Sequence, residues 1–211
     1  MVFRRRDPRT WRAALTEVVF PRGGWSRATQ YVFHRVRRLP DPPHRIGRGV
    51  AAGVFISFTP LFGLHLVGAA VLAWAIRGNI VAALLATFFG NPVTYPIFAY
   101  FSVWLGHWML GIHSDLGITA IIDTFSGATD EFWGNIKAIF TTEPTRWTEM
   151  AGFFRTLFLP DLIGSIPLGL LAGVLSHYLT LPVVEAYKRR RGKKLRERVE
   201  SLRAAKRAKE K

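Results

Sequence analysis

The pattern of hydrophobic and polar positions divides the chain into three apolar blocks separated by charged segments. Residues 49–76 and 78–114 contain no Asp, Glu, Lys or Arg, and residues 156–184 contain only Asp161. A helix rises about 1.5 Å per residue and a bilayer core is about 30 Å thick, so roughly 20 residues can cross it. Each block is long enough, and the pattern predicts an all-α, multi-pass integral membrane protein.

Charge is distributed unevenly along a chain whose net charge is +15. Twelve arginines outnumber three acids up to Arg48, and thirteen Lys or Arg residues outnumber four acids from Glu185 onward. Between Asp115 and Arg155, six acids outnumber three basic residues. Because short basic loops stay in the cytoplasm, both termini are predicted to be cytoplasmic and the central segment periplasmic.

Termini on one side of the membrane require an even number of crossings, whereas the chain has three apolar blocks. Pro60 and Gly63 interrupt the first block, and Asn91-Pro92 interrupts the second. A proline inside a helix costs about 3 kcal/mol, and the backbone groups that it frees cost more in hydrocarbon. Two full crossings plus a re-entrant or broken-helix pair satisfy the charge rule, and four full crossings satisfy it as well.

These features predict five segments. They are a basic amphipathic lead-in (1–45), a membrane core with breaks at Pro60 and Asn91-Pro92 (46–112), a periplasmic loop with short interfacial helices (113–156), a last transmembrane segment (157–184) and a cytoplasmic basic tail (185–211). Apolar residues in the lead-in recur every three or four positions among arginines, as in a helix that lies on an anionic leaflet. They are Trp25, Ala28, Val32, Val36 and Leu39.

Helix breakers and polar residues inside the blocks are the candidate substrate or cavity residues. Broken helices in transporters expose backbone groups to a substrate near the midplane, and ionisable groups inside a membrane are functional candidates. Arg77 could pair with Asp161 or bind a lipid phosphate, or both residues could lie at the interface. The full set is Pro60, Gly63, His65, Arg77, Asn79, Thr87, Asn91, Pro92, Thr94 and Asp161.

Catalysis has no support in the sequence, and neither a metal nor a cofactor is predicted. His113, Ser114 and Asp115 are consecutive, which cannot give the geometry of a catalytic triad. There is no paired carboxylate, zinc-ligand spacing or phosphate-binding glycine loop. The basic tail has no aromatic platform for nucleic acid. The predicted partners are membrane lipids, in particular anionic ones, with a homo-oligomer or a protein partner left open.

The stretch "RIGRGVAAGVFISFTPLFGLHLVGAAVLAWAIRGNIVAALLATFFGNPVTYP" resembles a bacterial membrane-domain family known as domain of unknown function 2062. The resemblance extends from Pro21 to Ile112. It implies a multi-pass protein of the bacterial inner membrane and carries no established activity. The matching positions are Gly53, Phe55, Pro60, Gly63, Arg77, Asn79, Thr87, Asn91, Pro92, Thr94 and Pro96.

Two functions of different classes follow as hypotheses. The first is a transporter-like or lipid-handling module with a cavity formed by the broken helices, and the phosphate-bearing lipid is suggested by Arg77 and the basic faces. The second is a non-catalytic membrane scaffold or envelope assembly factor. A polar lining between the breaks at Pro60 and Asn91 favours the first, and a dry, packed junction favours the second.

Overall fold

The computed structural model describes residues 24–61, 63–113, 117–142 and 144–209. Within these ranges the chain forms helices, turns and bends and no strand, which confirms the all-α fold class. The first part of the predicted lead-in, residues 1–23, lies outside the described residues. The helices in chain order are α1 (Gly24–Val36), α2 (Pro43–Phe58), α3 (His65–Ala75), α4 (Ile80–Ala86), α5 (Tyr95–Leu110), α6 (Ile118–Ala138), α7 (Thr148–Phe153) and α8 (Leu159–Lys209).

Helices α2 and α3 form a hairpin around the first break. Thr59 adopts an extended conformation, as the ring of a following proline requires of the residue before it. Gly63, with a φ of +76°, then reverses the chain at a conformation that glycine adopts without strain. Buried alanines pack the two helices together: Ala52 of α2 belongs to one apolar cluster with Ala69 and Ala73 of α3.

The turn from α3 to α4 returns the chain to the start of α2. Asn79 caps α4, because its Oδ1 accepts a hydrogen bond from the Ala82 N–H at 2.6 Å. The Asn79 N–H donates to the Arg45 carbonyl at 2.8 Å. A capping Asn satisfies one of the free N–H groups at a helix N-terminus. This turn therefore ties α4 to the first turn of α2.

Glycines at a spacing of four allow α2 and α4 to pack backbone to backbone. A Cβ on Gly49 would overlap the carbonyl oxygen of Asn79, and one on Gly53 would overlap that of Ala83. Such small-xxx-small pairs are the usual way in which membrane helices approach closely. A short 3-10 turn, Thr87–Phe89, extends α4 to the second break.

Helix α8 runs antiparallel to α2 and α5 and packs against both in succession. Small residues make these contacts close: Gly164 faces Ser102, Gly106 faces Pro160, Gly169 faces Phe55, and Gly173 faces Ala51. The direction of these pairs shows that α2 and α5 point the same way along α8. At about 1.5 Å per residue, the 51 residues of α8 measure roughly 76 Å, and the predicted boundary at residue 184 is not a break in the helix.

One end of the bundle collects the basic flanks, and we call it the basic end. Lys188 of α8 donates hydrogen bonds to the carbonyls of Pro40 and Asp41. Val36 of α1 is buried in a cluster with Ile46 and Val184. The apolar side of α1 therefore packs on the protein at Val36, where the sequence suggested a helix lying on a lipid leaflet.

The predicted loop of residues 113–156 is largely helical and holds α6 and all of α7. Glu131 accepts hydrogen bonds from the backbone N–H groups of Thr148 and Met150, at 2.9 and 2.7 Å. The Asn135 side chain accepts from the Arg146 N–H and donates to the Arg146 carbonyl. These bonds hold α6 and α7 together as a hairpin, in place of separate short helices.

One helical segment, Thr148–Arg203, is long and apolar enough to cross a membrane by length and composition. It includes α7, a π turn at Phe154–Phe158 and most of α8. Two shorter apolar helical segments, His65–Ala75 and Ile80–Phe89, fall below the length of a full crossing. The structure thus has one candidate span among the described residues.

Candidate functional site

The two breaks lie against each other, and aromatic rings fill the space between them. Phe58, at the end of α2, stacks on Phe98 of α5 with ring centroids 4.4 Å apart. Phe98 also stacks on Phe89 at 5.1 Å. Ser57 donates a hydrogen bond to the Thr87 carbonyl at 3.3 Å. The junction between the breaks is therefore packed and apolar.

Side chains satisfy the backbone of the second break locally. Asn91 Oδ1 accepts hydrogen bonds from the N–H groups of Val93 and Thr94, at 2.9 and 3.1 Å. The Thr94 hydroxyl donates to the Phe89 carbonyl and accepts from the Asn91 N–H. The Thr87 hydroxyl donates to Leu84 O at 2.7 Å. Asn and Thr make such local bonds readily, so these residues hold the break without a ligand.

The first break is held in a similar way. The Thr59 hydroxyl donates to the Ile56 carbonyl at 2.7 Å, and His65 Nε2 lies 3.0 Å from the Thr59 carbonyl oxygen. The His65 ring meets the Tyr95 ring edge-on, with centroids 6.2 Å apart. His65 therefore links the first break to the residue that starts α5.

A cavity of about 580 Å³ opens beside this junction, between α5, α6 and the segment that joins α7 to α8. Pro60 reaches it from the first break, and Tyr95 and Pro96 reach it from the second. Its lining is apolar and strongly aromatic. The other lining residues are Ile97, Ala99, Tyr100, Phe101, Val103, Ile121, Ile122, Phe125, Phe153, Leu157, Phe158 and Asp161.

Asp161 is the acidic residue of this lining, and its side chain is buried. Only 5% of the residue is exposed, and its Oδ1 has no hydrogen-bond partner among the residues that the structure describes. Buried polar atoms in proteins are nearly always hydrogen-bonded. Because Asp161 lines the cavity and its carboxyl group has an unpaired oxygen, this carboxyl group is a candidate contact for a ligand.

A π turn at Phe154–Phe158 shapes this wall of the cavity. Pro160 lies two residues after its end, and a proline inside a helix lacks the N–H and clashes with the carbonyl four residues earlier, here Thr156. The wider turn accommodates that clash, and single π turns are frequent at functional sites. Phe153, Leu157 and Phe158 face the cavity from this segment.

Arg77 lies in a different place, at the basic end. It is exposed, has a left-handed φ of +53°, and lines a second pocket of about 430 Å³ with Asp41, Arg45 and Asn79. Asp41 already receives the Arg45 guanidinium at 2.9 Å and the Asn79 amide. Arg77 and Asp161 thus lie in separate pockets and do not form the suggested pair, and Asp161 is buried in the protein.

The predicted site residues thus separate into three groups. Pro60 and Asp161 line the apolar cavity, and Arg77 and Asn79 line the pocket at the basic end. The remaining residues shape the breaks: His65, Thr87, Asn91 and Thr94 through hydrogen bonds, with Gly63 and Pro92 exposed at the turns.

Sequence reasoning missed the contribution of α6 and the π turn to the cavity. Ile121, Ile122 and Phe125 come from a segment that was predicted as a periplasmic loop with short interfacial helices. Their spacing of one and three or four positions is an amphipathic signal, but it does not say which surface the apolar side covers. The Gly49/Gly53 and Gly169/Gly173 pairs carried a readable packing signal.

Comparisons with known proteins place the chain in a family without assigning an activity. No curated protein and no solved structure matches it. A family model matches residues 26–193, about four-fifths of the sequence. The chain therefore belongs to the family described as "uncharacterized protein conserved in bacteria (DUF2062)".

Proposed function

We propose that this protein is a non-catalytic, lipid-handling protein of the bacterial inner membrane, which binds a membrane amphiphile in the cavity beside its two breaks. The cavity carries the proposal: its volume of about 580 Å³ falls within the range of ligand sites, which are mostly apolar with few polar groups. A lining of this kind would take an apolar chain from the bilayer.

Exposed apolar side chains support a membrane location. Soluble proteins rarely expose large contiguous apolar patches, whereas here several large residues are more than half exposed on helices α3, α5 and α8. Trp74 is 73% exposed beside the turn at Arg77, and Trp108 is 74% exposed at the far end of α5. Trp is typical of both membrane interfaces. The others include Leu66, Val67, Val71, Ile97, Phe101, Leu170, Leu171, Leu175 and Leu179.

The packing supports two full crossings and one re-entrant hairpin over four crossings. At about 1.5 Å per residue, α2 and α3 are roughly 24 and 17 Å long, too short to cross a core of about 30 Å. The hairpin α2–α3 would enter from the basic end and return to it. The broken pair α4–α5 would make one crossing, and α8 the other.

Reporter fusions test this topology. Both flanks meet at the basic end, where Lys188 contacts Pro40 and Asp41, so we expect both termini in the cytoplasm. A fusion at residue 130 should be active only with a periplasmic reporter, and a fusion at the C-terminus only with a cytoplasmic one. Activity of both fusions on the same side of the membrane would rule out the two-crossing arrangement.

The cavity lining supports binding over catalysis. Among the described residues that face it, the ionisable groups are Asp161, Tyr95 and Tyr100. Nucleophilic catalysis needs a nucleophile with an adjacent base, and the described lining contains no Ser, Thr, Cys, Lys or His. A single carboxyl group in an aromatic cavity is better suited to holding a ligand.

A space-filling variant tests the cavity. Ala99 lines it, so the phenyl group of Ala99→Phe should occupy part of the volume and displace a bound amphiphile. Ala75→Phe is the matched control, because Ala75 is exposed at the end of α3. Native mass spectrometry of both proteins should show a bound amphiphile on the wild type and the control and none on Ala99→Phe. Equal occupancy in all three would refute the cavity as the binding site.

The packed junction favours a second function, that of a scaffold or assembly factor. The aromatic stack of Phe58, Phe89 and Phe98 leaves no polar path between the breaks, which suits helix packing better than transport. In this alternative a second copy or another protein would bind the exposed apolar faces. Crosslinking in intact membranes, compared between the wild type and Ala99→Phe, separates the two: a scaffold keeps its partners when the cavity is filled.

A further inference from the structure

The carboxyl group of Asp161 is the feature of the cavity that an apolar chain alone does not explain. It faces a cavity whose described lining contains no Lys, Arg or His, and its Oδ1 has no hydrogen-bond partner in the described part of the chain. Burying an unpaired carboxylate is unfavourable by several kcal/mol or more. A bound cation would compensate for this cost.

We infer that the cavity binds amphiphiles that carry a protonated amine, with the ammonium group donating a hydrogen bond to the carboxyl group of Asp161 and the apolar chain lying against α5 and α6. This inference rests on the proposed function and names the chemical class of its ligand. Hydrogen bonds between charged groups are about twice as strong as neutral ones. They are stronger still where water is excluded.

The aromatic residues of the lining point to the same ligand. Tyr95, Tyr100, Phe101, Phe125 and Phe153 line the same cavity as Asp161. The face of an aromatic ring attracts a cation by about 0.5 to 2 kcal/mol, and cages of such rings bind quaternary and alkylated ammonium groups. A cavity that holds both a carboxyl group and aromatic rings therefore favours an ammonium headgroup through a hydrogen bond and through cation–π contacts.

The same features argue against an anionic headgroup in this cavity. A phosphate or carboxylate would meet the negative charge of Asp161 at short range, where repulsion is weakly screened. The basic residues that suit phosphate, Arg45 and Arg77, line the separate pocket at the basic end. Lipid phosphates are thus expected at that end, and the amine in the cavity.

Photolabelling with three probes of equal chain length tests the inference. The full chain is placed in phosphatidylglycerol nanodiscs and exposed to dodecylamine, dodecanol and dodecanoate, each with a diazirine at the end of the chain. Labelled peptides are then identified by mass spectrometry. We expect the amine to label peptides of α5 and α6 about tenfold more than the alcohol, which corresponds to one charge-assisted hydrogen bond. Dodecanoate should label them least.

Asp161→Asn should reduce labelling by the amine to the level of the alcohol and leave the alcohol unchanged. Asp123→Asn is the control, because Asp123 is exposed on α6 next to the lining residue Ile122. Added phosphatidylethanolamine shows by competition whether an aminolipid of the membrane is the ligand. Because an anionic bilayer itself concentrates the amine, the labelling of the cavity by each probe is divided by its labelling of the exposed helix α3. If Asp161→Asn fails to fold, this ratio for the three probes on the wild-type protein still decides the question.

The outcomes separate the inference from the proposed function. Equal labelling by amine and alcohol, unaffected by Asp161→Asn, overturns the amine and leaves the lipid cavity standing. Preference for dodecanoate overturns it as well, because Asp161 would then be acting as a donor. Absence of labelling in the cavity by every probe contradicts the proposed function itself.

Discussion

The half of the bundle at the basic end and the half beyond the breaks use the same kinds of helices and pack them differently. Around α2, α3 and α4, glycines and alanines bring backbones into contact: Gly49 and Gly53 lie on the carbonyls of Asn79 and Ala83. Beyond the breaks, α5 meets α8 closely along one side only, at Gly106 and Gly164, and large aromatic residues face α6 on the other.

This difference shows that small residues determine which half of the bundle is tightly packed, and here that is the half at the basic end. Two helices whose contacts are glycines approach until their backbones touch and leave no room for a ligand. Bulky side chains and a π turn keep helices further apart. Beyond the breaks they leave a cavity that the remaining side chains do not fill. Asp161, whose carboxyl group has an oxygen without a hydrogen-bond partner among the described residues, lies in the less tightly packed half beyond the breaks.

The largest expected effect is that of Gly53→Leu, which tests the tightly packed half at the basic end. The new side chain would meet the Ala83 carbonyl, which is backbone and cannot move aside, so we expect a loss of roughly 3 kcal/mol or more in unfolding free energy. The control is Gly134→Ala on α6, where a Cβ meets nothing within 4 Å. It should be neutral or stabilising by up to about 1 kcal/mol. Thermal unfolding in detergent measures both. Equal unfolding midpoints for Gly53→Leu and the wild type would show that α2 and α4 are not in backbone contact.

Asp161→Asn tests the less tightly packed half, beyond the breaks. Replacing a buried, unpaired carboxylate with a neutral amide should raise the unfolding free energy of the ligand-free protein by roughly 1 to 3 kcal/mol. Binding residues often reduce stability in this way. Denaturant titration of the delipidated protein measures the change, with Asp123→Asn expected to be neutral. A destabilised Asp161→Asn variant would mean that Asp161 already has a partner in the free protein.

Asn79→Ala addresses the turn that joins α3 to α4. The variant loses the cap on α4 and the amide that reaches Asp41. A lost N-cap costs about 0.5 to 2 kcal/mol, so the unfolding midpoint should fall modestly while labelling of the apolar cavity stays at the wild-type level. If cavity binding disappears and stability does not change, Asn79 belongs to the binding machinery and not to the fold.

The smallest expected effect is that of Arg77→Gly at the same turn. Arg77 has a φ of +53°, which costs a non-glycine residue about 1 to 2 kcal/mol, so glycine should stabilise the folded protein by up to that amount. If Arg77 holds a lipid phosphate through its planar guanidinium, both Arg77→Gly and Arg77→Lys should lose co-purified anionic lipid at matched expression. Lipid retained by Arg77→Lys would assign Arg77 the role of an interfacial anchor, since Lys keeps the charge.

Much of the fold could be predicted because local signals agreed. The prolines at positions 60 and 92 and the glycine at position 63 lie at breaks between helices in the structure as well. Residue types that set the backbone act on their own neighbours, so their effect is readable without knowledge of the fold. The all-helical character of the described residues follows from the same local information.

The binding site was harder to predict because its residues come from distant parts of the chain. Asp161 was recognised as an unusual residue in an apolar block, but its suggested partner, Arg77, lies in the other pocket. The residues of α6 were predicted to lie outside the membrane core. A sequence shows that a residue is apolar or charged, and it does not show which other helix that residue faces.

By itself, the sequence determined which segments are apolar, where helices must break and which flanks are basic, because each depends on residue type and short-range geometry. Only the tertiary structure decided that the breaks pack against each other through Phe58, Phe89 and Phe98, and that the open volume lies beside Asp161. The physical reason is that cavities depend on the distance between helices, and that distance is set jointly by the side chains of both partners.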